Sequence, residues 1–370
     1  VGLLIDFLLK TKGGPQSLTQ TLKSKKISAE TAKQAIRAAQ ASPSPDKNLI
    51  AELRRAGNLD AATWTPTPEL TQQLVEEVAR SGNPANGERI YRRQSLQCSK
   101  CHAIGGAGGI VGPELNSIGA SAQLDYLVES LLEPNKKVKE NFHSRVVQTV
   151  DGLQYSGVPI REDKKETVLR TAEGKVVSIP SNDIEGTKDG RSLMPEGLVD
   201  PLTRKELVDL VAFLSNLGKV GEFAVGKQQF ARNWKTLTWT PDAHRALNRT
   251  SFDTAATDHA ALVWRNEFSL VNGFVEVTDL PQYQIHGRSP KSSFLKTELI
   301  VETKGKVVIQ FETTDGIAIW INGKPRKIEK RLSLSLAKGR HQINLSVNRE
   351  MSNKIRIELI ASESTAARFN

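Results

Sequence analysis

The chain has 370 residues, of which 38% are hydrophobic and 25% are charged, and its formal net charge is +10. This composition is typical of globular domains, and the length favours two or three domains over a single core. No apolar run reaches the roughly 18 residues of a transmembrane helix. Because no helix-turn-helix, zinc-finger or RNA-binding motif accompanies the basic charge, we interpret it as solvated surface or as a field that attracts an acidic partner, and we expect no nucleic acid.

The N-terminal stretch VGLLIDFLLK is apolar but does not resemble a signal peptide. It contains Asp6, and it lacks both a basic leader and a small-residue cleavage site. The chain also begins with Val rather than Met. We therefore expect it to be a processed or excised part of a longer protein.

Residues 1–82 are predicted to form a series of short helices. In TPELTQQLVEEVARSG, Thr67 is the expected N-cap, Pro68 takes the first helical position and Gly82 ends the helix. Ser28 is an expected N-cap further upstream. Short helices in series suggest the remnant of a helical repeat, although no clean repeat period is visible.

Residues 83–220 are predicted to form a second, mainly helical domain. Its first helix, in NPANGERIYRRQ, has Asn83 as the expected N-cap and is closed by CSKCH, after which a glycine-rich loop and the helix SAQLDYLVESLLEPN follow. At about 143–186, alternating apolar residues and Asp-Gly or Glu-Gly turns predict an insert of four short strands in a meander. The last helix, DPLTRKELVDLVAFLSNLG, begins with a predicted capping box of Thr203 and Glu206.

Residues 221–261 are predicted to be a connector, and residues 262–370 an all-β sandwich. The short strands of the latter region are separated by Lys-Gly, Asp-Gly and Asn-Gly turns. The predicted fold class is therefore multidomain α+β, with an N-terminal helical segment, a helical domain that carries a β-rich insert, and a C-terminal sandwich.

The motif CSKCH contains the only two cysteines of the sequence, Cys98 and Cys101. Zinc needs four ligands, and there is no second cysteine pair. A thioredoxin-like dithiol is expected after a strand in a βαβ unit, whereas a helix is predicted here. The adjacent His102 favours attachment of a c-type haem. Cysteines about one helical turn apart match the two vinyl groups of the porphyrin, and His102 then supplies the proximal iron ligand.

The sixth iron position needs a second ligand if the haem only carries electrons, and Met is a common one. The chain has two methionines. Met194, in GRSLMPEGLVD, lies directly before the last helix of the domain and is our predicted distal ligand, whereas Met351 lies in the strand-rich C-terminal region. His143 is the second candidate, and a bis-histidine site would have a lower potential.

Residues 83–220 resemble class I cytochrome c in NGERIY, CSKCH, GGIVGPEL, SLMP and the helix LTRKELVDLVAFLSNLG. They are more closely similar to one branch, the Pirellula/Verrucomicrobium-type haem-binding domain of Planctomycetes and Verrucomicrobia. Larger members of that family place a sugar-dehydrogenase-like β-propeller and HEAT-like helices before this domain. Residues 1–82 resemble the end of such helices, and the sequence shows no propeller.

The resemblance implies one covalently attached haem c. Cys98 and Cys101 would form the thioethers, and His102 and Met194 would be the iron ligands. It also implies that Pro113, in VGPEL, offers its carbonyl to the ring N–H of His102, which fixes the orientation of the imidazole. Because bacteria attach c-type haem outside the cytoplasm, the resemblance implies a location in the periplasm or at the cell surface.

The favoured function is electron transfer between a periplasmic dehydrogenase, such as a sugar-oxidising one, and another carrier. On this interpretation the chain is a carrier rather than an enzyme. One alternative is a haem enzyme or gas sensor with an open sixth position. The other is a glycan-binding protein with auxiliary haem, because TTDGIAIWINGK and KGRHQINLSVNR resemble jelly-roll modules. Trp264 and Trp320 are the candidates for sugar stacking there, although the apolar neighbours of Trp320 favour core packing.

Overall fold

The computed structural model describes residues 9, 11, 13–40, 46–59, 64–360 and 366–370. The stretch around Asp6, whose features argued against a signal peptide, lies outside the described residues. The chain divides into two compact units, a first unit of Val1–Ala103 with Gly109–Lys219 and a second unit of Ile104–Gly108 with Val220–Asn370. Both helices and antiparallel sheets are present, which confirms the predicted multidomain α+β class. In the described part of the chain, no helix has the length and apolarity needed to cross a membrane.

The first unit contains helices from its N-terminal region to its C-terminal end. Their bounds are Gly14–Leu22 (α1), Ala29–Gln40 (α2), Lys47–Ala56 (α3), Pro68–Ser81 (α4), Pro84–Arg92 (α5), Cys98–Cys101 (α6), Ile118–Ser121 (α7), Leu124–Leu132 (α8) and Arg204–Asn216 (α9). The helices α1 to α3 share a hydrophobic cluster that includes Leu22, Leu49 and Leu53.

Several helix boundaries agree with the local sequence signals. Thr67 Oγ1 accepts a hydrogen bond from the N–H of Leu70, at 3.1 Å. Asn83 Oδ1 accepts one from the N–H of Asn86, also at 3.1 Å. The predicted capping box at the start of α9 is present. One boundary differs: α5 ends at Arg92, and the cysteine motif forms its own short helix, α6, after a residue in the left-handed region, Gln97, with φ 57°.

Helices α5 and α9 pack closely against each other, and Gly87 is at their contact. A Cβ atom on residue 87 would overlap the carbonyl oxygen of Asp209 in α9. The rings of Tyr91 and Phe213 meet beside it, with centroids 5.7 Å apart. Asp209 is 1% exposed, and its carboxylate accepts a hydrogen bond from the backbone N–H of Asn83 at 2.8 Å. The start of α5 is therefore tied to the side of α9.

We expect Gly87→Ala to destabilise the first unit by about 3 kcal/mol or more, because backbone atoms cannot move aside as a flexible side chain does. Gly186→Ala is the matched control, since a Cβ at residue 186 would meet no atom within 4 Å. Thermal or urea unfolding of the two variants checks this. Equal stabilities would contradict the close helix contact.

The predicted β-rich insert is a five-stranded antiparallel sheet, with strand order β4-β3-β2-β1-β5. Its strands are Arg145–Thr149 (β1), Gln154–Glu162 (β2), Glu166–Arg170 (β3), Val176–Pro180 (β4) and Ile184–Asp189 (β5). The meander of four strands was predicted, but β5 was not. Apart from Ile184, its residues are exposed, so they lack the alternating apolar pattern that would indicate a strand. Pairing of β5 with β1 brings the chain back to where the insert began.

The second unit contains a seven-stranded, a four-stranded and a two-stranded sheet. Its elements are Gln229–Phe230 (β6), Asn233–Leu237 (β7), Pro241–Arg249 (α10), Trp264–Phe268 (β8), Val275–Glu276 (β9), Ser292–Val301 (β10), Gly305–Phe311 (β11), Ile317–Ile321 (β12), Lys324–Arg326 (β13), Arg331–Leu336 (β14), Gly339–Asn348 (β15), Lys354–Ile355 (β16), Ile357–Ile360 (β17) and Ala367–Phe369 (β18). Buried residues of the two larger sheets, such as Leu345 and Ile309, form one cluster. The region 221–261, for which the sequence predicted a connector, contains β6, β7 and α10.

Candidate functional site

The cysteine motif forms a single helical turn in which both thiols are free. The N–H of His102 donates to the carbonyl of Cys98 at 2.9 Å, which closes the turn. Cys98 and Cys101 are not joined by a disulfide. Burial raises the pKa of Cys98 to about 12, and burial also raises the pKa of Cys101.

These raised pKa values bear on the redox-dithiol alternative, because reactive dithiols have lowered thiol pKa values and thus a thiolate at neutral pH. The two thiols of this motif are instead protonated and partly shielded. Among the described residues, no group of three or more His, Cys, Asp or Glu side chains is arranged to hold a metal ion. A zinc site built around the motif is therefore not supported.

His102 is held in one tautomer by the loop that follows it. Its Nδ1 lies 2.8 Å from the carbonyl oxygen of Pro113. A carbonyl can only accept, so Nδ1 carries the proton and Nε2 has the free lone pair. Burial lowers the pKa of His102, while the hydrogen bond to Pro113 opposes this shift. The result is a neutral imidazole with a fixed ring orientation. The carbonyl of His102 also accepts a hydrogen bond from the Tyr91 hydroxyl, at 2.8 Å.

The glycine-rich loop lies directly on the motif. The N–H of Gly109 donates to the Ser99 carbonyl at 2.9 Å, and the N–H of Gly112 donates to the Cys101 carbonyl at 2.8 Å. A Cβ atom on residue 112 would lie 2.5 Å from Cε1 of His102. Residue 112 must therefore be glycine for the ring of His102 to lie where it does. Gly112 was not among the predicted site residues, although its place directly before Pro113 was the available signal.

Met194 lies in a segment that packs near the motif. Its neighbour Leu193 is buried in a cluster with Val111 and Val158, and Cys101 packs against that cluster. Met194 itself is half-buried, and its N–H donates to Ser192 Oγ at 3.2 Å. The structure thus brings the backbone around Met194 towards the Cys101 side of the motif.

The other two candidate ligands are located differently. His143, the second candidate for the distal position, is exposed and lies two residues before β1. Met351 belongs to the second unit, and it is 62% exposed. Both side chains are thus exposed, whereas that of Met194 is half-buried.

The β insert packs against the motif loop with one of its faces. Val158 of β2 belongs to the cluster that Cys101 contacts. Arg170 of β3 is the register partner of Val158, and its Nη1 donates to the carbonyl of Ile110 at 3.0 Å. Paired residues in neighbouring strands point to the same face of a sheet. This face of the insert therefore covers the Cys101 side of the motif.

The two tryptophans considered for sugar stacking both have partners in the second unit. Trp320 is 4% exposed, and its Nε1 donates to Asp253 Oδ1 at 2.7 Å. The Nζ of Lys296 lies 4.4 Å from the ring centroid of Trp264. A stacking platform needs an open ring face, so neither residue has the exposure expected of one. Trp239, which the sequence analysis did not consider, is 52% exposed.

No protein-family model matches the sequence. No curated protein matches it either.

Proposed function

We propose that this protein is a c-type cytochrome that transfers single electrons through one covalently attached haem. Cys98 and Cys101 would form the two thioethers, and His102 and Met194 would bind the iron. The observation that carries the proposal is the state of His102: its imidazole is neutral, its Nδ1–H donates to the Pro113 carbonyl, and its Nε2 keeps a lone pair. This is how a ligating histidine is prepared for a metal.

The residues present fit the proposed group. Two free thiols about one helical turn apart, followed directly by a histidine, match the spacing of a haem-attachment motif. In the described part of the chain, no side chain forms a hydrogen bond with Nε2 of His102, so this nitrogen is available as a ligand. Gly112 leaves room for the imidazole at a point where any side chain would push it aside.

Each residue of the chain has a separate task in this proposal. The cysteines tether the group, and the carbonyl of Pro113 orients the imidazole of His102. Met194 would supply a soft, neutral thioether as the second iron ligand. The haem, when bound, supplies the one-electron chemistry. The cluster of Val111, Val158 and Leu193 excludes water from the side of the site next to Cys101.

We also propose a fold family for each part of the chain. The crossing of α5 and α9 next to the motif, with Gly87 at the contact, supports a class I cytochrome c fold for the helical part of residues 83–220. The larger sheets of the second unit, which share one core, support a jelly-roll-like sandwich. For the helices of residues 1–82 we retain the proposal of a HEAT-like remnant.

A protein that carries electrons needs one partner that delivers them and another that accepts them. One is a periplasmic dehydrogenase, such as a sugar-oxidising one, that delivers electrons, and the other is the next carrier. The net charge of +10 favours partners with acidic surfaces. Because c-type haem is attached outside the cytoplasm in bacteria, we place the protein in the periplasm or at the cell surface. In this proposal the chain itself is not an enzyme.

The test separates a carrier from a haem enzyme or gas sensor. The full chain, matured with haem, is titrated with carbon monoxide in the reduced state at neutral pH and examined by voltammetry. A carrier gives a reversible one-electron wave and does not bind carbon monoxide, since both axial positions are filled. Ready binding of carbon monoxide would show an open position and would refute the carrier function.

A further inference from the structure

Asn135 lies just after helix α8 and is bonded to both sides of the segment that contains Met194. Its Oδ1 accepts a hydrogen bond from the backbone N–H of Ser192 at 2.9 Å. Its Nδ2 donates to Glu196 Oε1 at 2.6 Å. A single amide side chain, 57 residues away from Ser192 in the chain, thus spans the segment from two residues before Met194 to two residues after it.

The segment 190–196 contains no helix or strand, so individual contacts hold it, among them the bond from Ser144 Oγ to the Arg191 carbonyl and the ion pair between Arg191 and Glu196. On the side of the β insert, the N–H of Gly190 donates to the Ser144 carbonyl at 2.8 Å. Within the segment, the N–H of Met194 donates to Ser192 Oγ at 3.2 Å. Ser192 thus links Asn135 to Met194: its N–H binds the asparagine, and its hydroxyl binds the methionine backbone.

We infer that Asn135 is a positioning residue that holds the 192–196 segment so that the Met194 side chain is presented to the site. This inference rests on the proposed function. A methionine side chain has several rotatable bonds and a neutral sulfur, so its place depends on a backbone that is fixed beforehand. An asparagine amide suits this task because it accepts at one atom and donates at another.

The chemistry of the Asn135 amide predicts effects of different size for different substitutions. Asn135→Ala removes both hydrogen bonds. Asn135→Asp keeps an acceptor for the N–H of Ser192 but cannot donate to Glu196, and it places two carboxylates side by side. Glu196→Ala leaves the bond to Ser192 intact and removes the second, together with the exposed ion pair between Glu196 and Arg191, 3.7 Å long. Asn216→Ala is the matched control, because within the described ranges the Asn216 side chain donates only to the Ala212 carbonyl of its own helix, at 2.7 Å.

The experiment uses the full chain, matured with haem, and follows the ferric absorption band that reports a methionine–iron bond as pH is raised. For Asn135→Ala we expect the band to be lost at a pH at least one unit lower than in the parent protein. Asn135→Asp and Glu196→Ala should give smaller shifts, and Asn216→Ala none. The amount of covalently bound haem should be the same in all of them, since the attachment motif is unchanged.

The outcomes separate this inference from the proposed function. A parent protein without covalent haem or without the band would refute the proposed ligand set, and this inference with it. A parent protein with the band, and an Asn135→Ala variant that melts at a lower temperature but loses the band at the parental pH, would refute only the positioning role. If Asn135→Ala does not fold, Glu196→Ala decides: a shift in the same direction supports the role, and an unchanged titration overturns it.

Discussion

Replacing Met194 with Ala is expected to leave the haem covalently attached while abolishing the methionine–iron band and lowering the reduction potential. The thioether stabilises the reduced iron, and axial ligands set haem potentials over a range of about 0.8 V. The fall should therefore be large compared with that caused by any surface variant. Absorption spectra and voltammetry of the matured protein measure the two effects.

The chain offers its own control for this experiment. Met351 is the second methionine and is 62% exposed. Met351→Ala should leave both the band and the potential unchanged. His143→Ala should behave in the same way, because His143 is exposed. Loss of the band in His143→Ala, with no effect in Met194→Ala, would show that the distal ligand has been assigned to the wrong residue.

Gly112→Ala is expected to have the second large effect, acting through the imidazole of His102. The added Cβ would lie 2.5 Å from Cε1 of the ring, well inside ordinary van der Waals contact. Either the ring or the loop must move, and each movement strains the 2.8 Å hydrogen bond to Pro113. Overpacking of this kind costs about 1–3 kcal/mol. We expect lower thermal stability and a shifted reduction potential together.

The matched control for this variant is again Gly186→Ala, at a position where a Cβ meets no atom within 4 Å. It should change neither property. The proton on Nδ1 of His102 provides a direct probe by NMR, since its exchange with solvent should become faster in Gly112→Ala. A variant with parental exchange, stability and potential would mean that residue 112 does not constrain the imidazole.

Sequence patterns were most informative where the responsible interaction is local. The caps at Thr67 and Asn83 each depend on a side chain and an N–H three residues apart, so the order of residues contains the whole signal. The same is true of the spacing of Cys98, Cys101 and His102. For such features the sequence gives both the position and the type of structure.

Features that depend on distant contacts could not be predicted in this way. The fifth strand, β5, is mostly exposed and forms by pairing with β1 rather than by its own apolar pattern. The strand β7 lies in a region that we expected to be a connector, because NWKTL contains too few residues to show a period. The hydrogen bond between Asn135 and Ser192 joins residues 57 positions apart, and nothing in either neighbourhood points to the other.

The sequence left the role of the β insert open, and the structure places one face of its sheet beside the motif. Val158 and Arg170, neighbours on one face of the sheet, contact the loop and cluster next to Cys101. A sheet in this place shields that side of the site from water. In the proposed carrier, burial of this kind is one of the means by which a protein tunes the potential of its haem.

The most direct test of the proposal is the mass of the peptide that spans residues 98–102, isolated from protein produced in a host that matures c-type cytochromes. We predict that this peptide carries the added mass of one haem and that neither Cys98 nor Cys101 reacts with a thiol-alkylating reagent. An unmodified peptide with two alkylatable thiols, from a host that attaches haem to a control cytochrome in the same preparation, would contradict the account.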